Sequence, residues 1–248
     1  MLQLSDTQEH ILRAVRRFVE KDVVTAAGEM EHRDEYPAAL VRTMREMGLF
    51  GATIPAEHGG MGLDVLTYAL IVEELSRGWM SLSGFLNTHL MVAYHLKAFG
   101  TPAQRERWLP RMAAGELHGG LGLSEPHAGS DVQAIRTTAV RRGDRYVVNG
   151  TKAWITNGAV ADAVVVFVNT QPDKGEKGIT ALVVEKGTPG LSYGKQEQKL
   201  GWNSQPKNKG LTFKSDFGVM FQGSPKATLT YTGTQNAAIS NQVAVEQA

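Results

Sequence analysis

A chain of 248 residues, 42% hydrophobic and 21% charged, has the composition of a soluble globular protein with room for two modest domains. Its 26 Lys+Arg against 25 Asp+Glu leave a net charge of +1, without the global basic bias that serves nucleic-acid binding. With 0 cysteines, disulfides and thiol catalysis are excluded, and a reducing compartment suits the chain.

The first half reads as helices. Ser5 with Gln8 forms a capping box, followed by Ile11, Leu12, Val15, Phe18, Val19 and Val23 at helical spacing. A second helix has Pro37 near its start, carries Leu40, Val41 and Met44, and closes at Gly48. Asp64 caps a third helix running to Gly78. Ser81 starts an apolar fourth, and Thr101-Pro102 opens a fifth that ends near Gly115. The charged positions Arg16, Glu73 and Glu74 read as solvated helix faces. The most apolar stretch, 81–100, contains Asn87, His89, His95 and Lys97, too polar for a membrane span. Met1-Leu2-Gln3-Leu4-Ser5-Asp6 has no secretory pattern, so cytoplasm is the expected location.

Near Leu117 the texture changes. Apolar and β-branched runs at 134–140, 146–148, 153–156, 163–168 and 180–184 alternate with Gly143-Asp144, Asn149-Gly150 and Asn157-Gly158. These predict short strands joined by tight turns. Helices followed by strands, not alternating with them, predict an α+β fold. An N-terminal all-α helical bundle should precede an antiparallel β-barrel-like domain. The expected division is 1–117, 118–206 and a divergent tail at 207–248. Lys207-Asn208-Lys209-Gly210 reads as a polar break, 226–234 as a possible strand, and 235–248 as a poor candidate for a packed helix.

The densest chemical signal is Leu121-Gly122-Leu123-Ser124-Glu125-Pro126-His127-Ala128-Gly129-Ser130-Asp131, a strand running into a loop of small residues and hydroxyls. Such a loop brings backbone N–H groups close to an anion or a polar ring edge. From the residues alone, a phosphate-or-cofactor loop and an ordinary surface turn both remain open. Gly119-Gly120-Leu121-Gly122 lacks the strand–turn–helix context of a dinucleotide fingerprint. His89 and His95, six apart, cannot share a helical face as metal ligands, and His127 reads as a variable loop position.

The 121–131 segment resembles the signature of the acyl-CoA dehydrogenase family, in which Ser/Thr-Glu-Pro precedes a small residue and Gly-Ser-Asp. Asn149-Gly150-Thr151-Lys152-Ala153-Trp154-Ile155-Thr156-Asn157-Gly158 is similar to that family's second flavin-contacting stretch. Gly48-Leu49-Phe50-Gly51, Ile54-Pro55-Ala56-Glu57-His58-Gly59-Gly60-Met61-Gly62-Leu63 and Glu73-Glu74-Leu75 fit its helical domain in order and separation. The resemblance covers about residues 4–205. It implies FAD as cofactor, contacted by Leu121, Gly122, Leu123, Ser124, Gly129, Ser130, Trp154, Ile155 and Thr156. Backbone groups of Leu123 and Ser124 would meet the flavin's pyrimidine edge, Trp154 would pack on its ring system, and Thr156 would bond near N5. Ser130 would lie by the pyrophosphate and the CoA portion of an acyl-CoA substrate.

The implied reaction is α,β-dehydrogenation of an acyl-CoA in fatty acid or amino acid catabolism, with an electron-transferring flavoprotein as the usual acceptor. Family members are homo-oligomers whose C-terminal helical domain supplies the glutamate base. Beyond Pro206 neither the family's last strand nor its later helices can be recognised, so no catalytic residue is assigned and no such oligomer is expected. Exposed faces of the helical bundle and weak FAD retention are expected instead. The alternative reading is a non-catalytic flavin- or acyl-CoA-binding fragment, or a partner of a full-length paralogue. A third keeps the flavin scaffold with another substrate.

Overall fold

The computed structural model describes residues 3–143, 145–213, 228–231 and 243–246. Helix α1 (Asp6–Phe18) starts where Ser5 Oγ accepts from the Gln8 amide at 3.3 Å and the Ser5 amide donates to Gln8 Oε1 at 2.9 Å. This is the reciprocal capping that the sequence predicts. Its buried stripe is Leu12, Val15 and Phe18. A π-helical turn, Val19–Val23, leads into α2 (Val24–His32). Helix α3 (Ala38–Glu46) is followed by Gly48 at φ 72°, a left-handed stop that glycine adopts without a Cβ clash.

The third and fourth predicted helices form one element, α4 (Val65–Phe99), broken at Trp79, where φ −165° and ψ 111° leave the helical region. Asp64 Oδ1 caps it by accepting from the Thr67 amide at 2.9 Å. Two local features accompany the break. Gly78 lies against the π-turn so closely that a Cβ there would stand 2.5 Å from Val19 Cγ1. Trp79 Nε1 and Ser81 Oγ both donate to Glu31 Oε2 at 3.0 Å, fixing the turn after the break. Glu74 corrects the solvated-face reading: it pairs with Arg16 and Arg77, ties α1 to α4, and keeps only 12% of its side chain exposed. Helix α5 (Pro102–Ala113) opens with a second capping box, Thr101 with Gln104.

The chain then passes into a curled sheet. Its strands are β1 (Gly119–Gly122), β2 (Thr138–Arg142), β3 (Arg145–Thr156), β4 (Ala163–Asn169), β5 (Ile179–Glu185), β6 (Leu191–Tyr193), β7 (Lys207–Phe213), β8 (Thr228–Tyr231) and β9 (Val243–Glu246). The order is β6-β7-β3-β2-β4-β5-β8-β9, with β1 added beside β4. Most pairs are antiparallel as expected, but β1 runs parallel to β4, Leu121 opposite Val165, and β2 meets β4 in parallel at Thr138 and Asn169.

Three local expectations are corrected. Asn149-Gly150 is no hairpin turn. Strand β3 runs straight through it and changes partner there, from β2 at Asn149 to β7 at Gly150. The predicted strand at 134–140 starts only at Thr138, after a 3-10 turn at Val132–Ala134. The polar break at Lys207 is the start of β7, because Asn208 spends its polarity inside the fold. Asn208 Oδ1 accepts from the Ala159 amide at 2.6 Å, and its Nδ2 donates to Gly194 O at 2.9 Å. The sheet therefore continues past Pro206, where texture had suggested a boundary. The strand expected within 226–234 is present as Thr228–Tyr231. Most of 235–248 and residue 144 lie outside the described residues.

Three apolar clusters hold the molecule together. One joins α1, α3 and α4 around Phe50 and Phe85, and a second lies between the helices and the sheet, from Val92, Leu96, Trp108 and Leu109 to Val165 and Phe167. The third fills the curl of the sheet with Val148, Ile155, Val164, Val166, Leu211 and Phe213. Strand β4 is buried on both faces, which explains its unbroken apolar run. Among the described residues no helix is long and apolar enough to cross a membrane.

Candidate functional site

Strand β1 positions the candidate loop. Its first amide, Gly119 N–H, donates to His89 Nδ1 at 3.3 Å, and His89 Nε2 contacts Phe50 O at 3.2 Å. His89 is fully buried, and burial together with its neighbour His118 pushes its pKa down to about 3. It is a neutral bridge between α4 and β1. The sequence reading had only ruled it out as a metal ligand. Among the described residues no group of three or more acidic, histidine or cysteine side chains could hold a metal.

After Gly122 the chain makes a tight turn, with Glu125 N–H donating to Ala128 O at 2.7 Å and Ala128 N–H to Glu125 O at 3.1 Å. Pro126 occupies the second position of this turn, where its fixed φ is favourable. The turn is fastened to β3 by the Ala153 amide, which donates to Ser124 O at 2.8 Å. The two hydroxyl-bearing stretches, 121–131 and 154–156, thus lie side by side. At the other end a Cβ on Gly120 would come within 3.5 Å of Thr156 O. The sequence-predicted residues divide between these walls. Leu121 and Gly122 belong to β1, Leu123 and Ser124 lie partly buried at its exit, and Gly129 and Ser130 are exposed farther along the loop.

Trp154 is the most unusual residue of the site. It is 50% exposed and holds φ 55°, in the left-handed region that favours glycine. Ala153 pairs with Gly210 and Ile155 with Asn208, so the strand continues on both sides of it. The positive φ breaks the inward–outward alternation and turns the indole out beside the loop. The side chain of Ile155 is instead buried in the sheet core, so only its backbone can face a ligand. Thr156 is half-buried.

Glu125 and Lys152 were not singled out by sequence reasoning, because a lysine within a strand reads as a surface residue. Here Lys152 is 0% and Glu125 2% exposed, with Lys152 Nζ 2.7 Å from Glu125 Oε1. Burial opposes the charge on Glu125. Hydrogen bonds from Lys152 and from the Arg136 and Thr137 amides overcome that and hold its pKa down to about 2. Burial pulls the Lys152 ammonium down, and Glu125 opposes the pull.

The pieces fit a flat aromatic ring with polar edges and an attached phosphate. The indole offers an apolar wall, and the loop offers backbone and hydroxyl donors. Gly129 leaves open space, since no described atom lies within 4 Å of where its Cβ would sit. Neither packing nor a positive φ requires glycine there, whereas close approach of a ligand would.

The comparisons agree with this geometry. The family model for the acyl-CoA dehydrogenase N-terminal domain matches residues 5–116, and that for the middle domain matches residues 120–215. An acyl-CoA dehydrogenase of Bacillus subtilis is 41% identical over 198 residues, 79% of this chain and 52% of that protein. A short-chain specific acyl-CoA dehydrogenase of Clostridium acetobutylicum is 43% identical over 199 residues, 80% of this chain and 52% of that one. The solved butyryl-CoA dehydrogenase of Megasphaera elsdenii superposes with a TM-score of 0.84 at 36% identity, covering 89% of this chain and 58% of that one. The chain spans about half the length of the curated relatives it matches. With both successive domains matched and the solved butyryl-CoA dehydrogenase superposing over most of the chain, the chain belongs to the acyl-CoA dehydrogenase family.

Proposed function

We propose that the 121–131 loop and the end of β3 together hold FAD, and that the site serves α,β-dehydrogenation of an acyl-CoA thioester. One observation carries the reading: Trp154 is turned outward at φ 55°, one residue after the amide that binds Ser124 O at 2.8 Å. A strained, half-exposed indole next to the strand residue that binds the loop suits a ring-stacking role.

Bound there, FAD would supply the two-electron acceptor for the reaction. Leu123 and Ser124 would orient the ring edge through backbone and hydroxyl groups, and Thr156 would donate near its reactive nitrogen. Trp154 would exclude water from one face. Ser130 and the space at Gly129 would take the pyrophosphate and the CoA portion of the substrate. Acceptance of the electrons by an electron-transferring flavoprotein is the partner proposal that follows.

The test is one preparation examined twice. FAD is first titrated against the chain by fluorescence quenching, and the complex is then mixed anaerobically with acyl-CoAs of graded length. Saturable binding followed by bleaching of the flavin absorbance is expected. Binding without bleaching by any chain length would leave a flavin-binding protein and remove the dehydrogenase reading. Failure to bind would remove both.

A further inference from the structure

The carboxylate of Glu125 sits in the signature loop, so it invites assignment as a proton acceptor, yet its surroundings forbid that role. Oε1 accepts from Lys152 Nζ at 2.7 Å and from the Thr137 amide at 3.0 Å. Oε2 accepts from the Arg136 amide at 2.7 Å, with His127 Nε2 at 3.5 Å. Both oxygens are occupied from within the chain, and only 2% of the residue is exposed. A carboxylate so saturated is a poor base at neutral pH.

Lys152 is placed with equal care. Its stem crosses Gly122 inside the sheet, where a Cβ on Gly122 would lie 3.5 Å from Lys152 Cγ and from Val166 Cγ2. From there Nζ reaches out of the apolar core to Leu123 O at 3.2 Å as well as to Glu125. A buried ion pair is seldom the most stabilising way to fill such a space, since desolvation offsets most of the attraction. What this pair does that an apolar pair cannot is fix directions. It pins Leu123, Glu125 and the 136–137 backbone to a single point on β3, two residues before Trp154.

We propose that Glu125 and Lys152 are positioning residues, a buried ionic clamp that sets the spacing between the Ser124 loop and the Trp154 wall. The assignment rests on the flavin reading of that site. The clamp itself touches no ligand. It acts through Leu123 O and through the Ala153–Ser124 hydrogen bond beside it.

Two variants separate positioning from stability. Glu125→Gln strands the ammonium and is expected to destabilise the fold. The double change Glu125→Gln with Lys152→Met removes the buried charge and keeps the stem, so its thermal midpoint should return to within about 5 °C of the parent. The double variant should nonetheless bind FAD at least about tenfold more weakly, as loss of an outer supporting contact does in other preorganised sites. Its Ala153 amide should exchange with deuterium faster than in the parent while amides of β4 keep their protection.

A double variant with parental FAD affinity and parental Ala153 protection would overturn the clamp. If the parent itself fails to bind FAD, the flavin reading falls and the amide-exchange readout alone decides whether the pair spaces the two walls.

Discussion

At the scale of single residues, the site is marked by backbone conformations more than by side-chain chemistry. A non-glycine residue at φ 55° gives up about 1–2 kcal/mol. The covered half of the indole offsets a cost of that size, since about 100 Å² of buried apolar surface is worth about 2 kcal/mol. Replacing it by glycine, Trp154→Gly, trades relief of that strain against loss of the covered half of the indole, so the thermal midpoint should move by no more than a few degrees. The same change should weaken FAD binding at least about tenfold, a loss of about 1.4 kcal/mol. A fall in midpoint with flavin affinity intact would show that the indole serves the fold. Gly129 offers the complementary case: with open space around its Cβ position, Gly129→Ala should be neutral in urea unfolding and should still weaken FAD binding. The loop was legible in the sequence because its string of small residues and hydroxyls carries its own chemistry. The Glu125–Lys152 pair was not, since nothing in a one-dimensional pattern says that a strand lysine points inward over a glycine.

Elements were legible wherever a local rule fixes them, as at Ser5–Gln8, Asp64 and Thr101, whose caps form as the residue types require. They were misread where a distant partner decides. Asn149-Gly150 has the composition of a hairpin turn, but Gly150 serves a bend within β3 as it leaves β2 for β7. Its φ of 146° and the approach of Thr137 are tertiary facts that the dipeptide cannot announce. A Cβ on Gly150 would stand 2.5 Å from Thr137 Oγ1 and 2.7 Å from Thr137 Cα. Gly150→Ala should therefore destabilise the chain by about 2 kcal/mol or more in urea unfolding, through backbone strain and the clash together. A change below about 0.5 kcal/mol would mean that β3 can bend elsewhere. The same reasoning covers β7, where the polarity of Asn208 suggested a loop and is consumed by bonds to Ala159 and Gly194.

Across the whole molecule, partly or fully buried carboxylates hold together parts that are far apart in sequence. Glu31 on α2 accepts from Trp79 and Ser81 beside the break in α4, and from the Asn203 amide at 2.7 Å, so it joins the helices to the sheet domain. Burial works against its charge, and these hydrogen bonds outweigh that and lower its pKa. Glu125 does the same within the sheet domain, with its pKa held down to about 2. For a carboxyl group whose folded pKa lies below its unfolded one, the folded chain binds fewer protons between the two values. Its stabilising contribution is complete above the unfolded value near pH 4.5 and disappears as the pH falls toward 2. Other carboxylates, Asp64 and Glu74 among them, are also lowered and add to the acid sensitivity of the parent, so the informative quantity is a difference between two proteins. Urea unfolding of the parent and of the Glu125→Gln, Lys152→Met variant, each at pH 7 and pH 3, isolates the share of the clamp. The parent should lose measurably more stability than the variant over that interval, because at pH 3 part of the Glu125 contribution is already gone. Equal losses would mean that Glu125 titrates in the folded chain as it does in the unfolded one, and the clamp would then not be the ionised, fully bonded pair on which the spacing of the two walls depends.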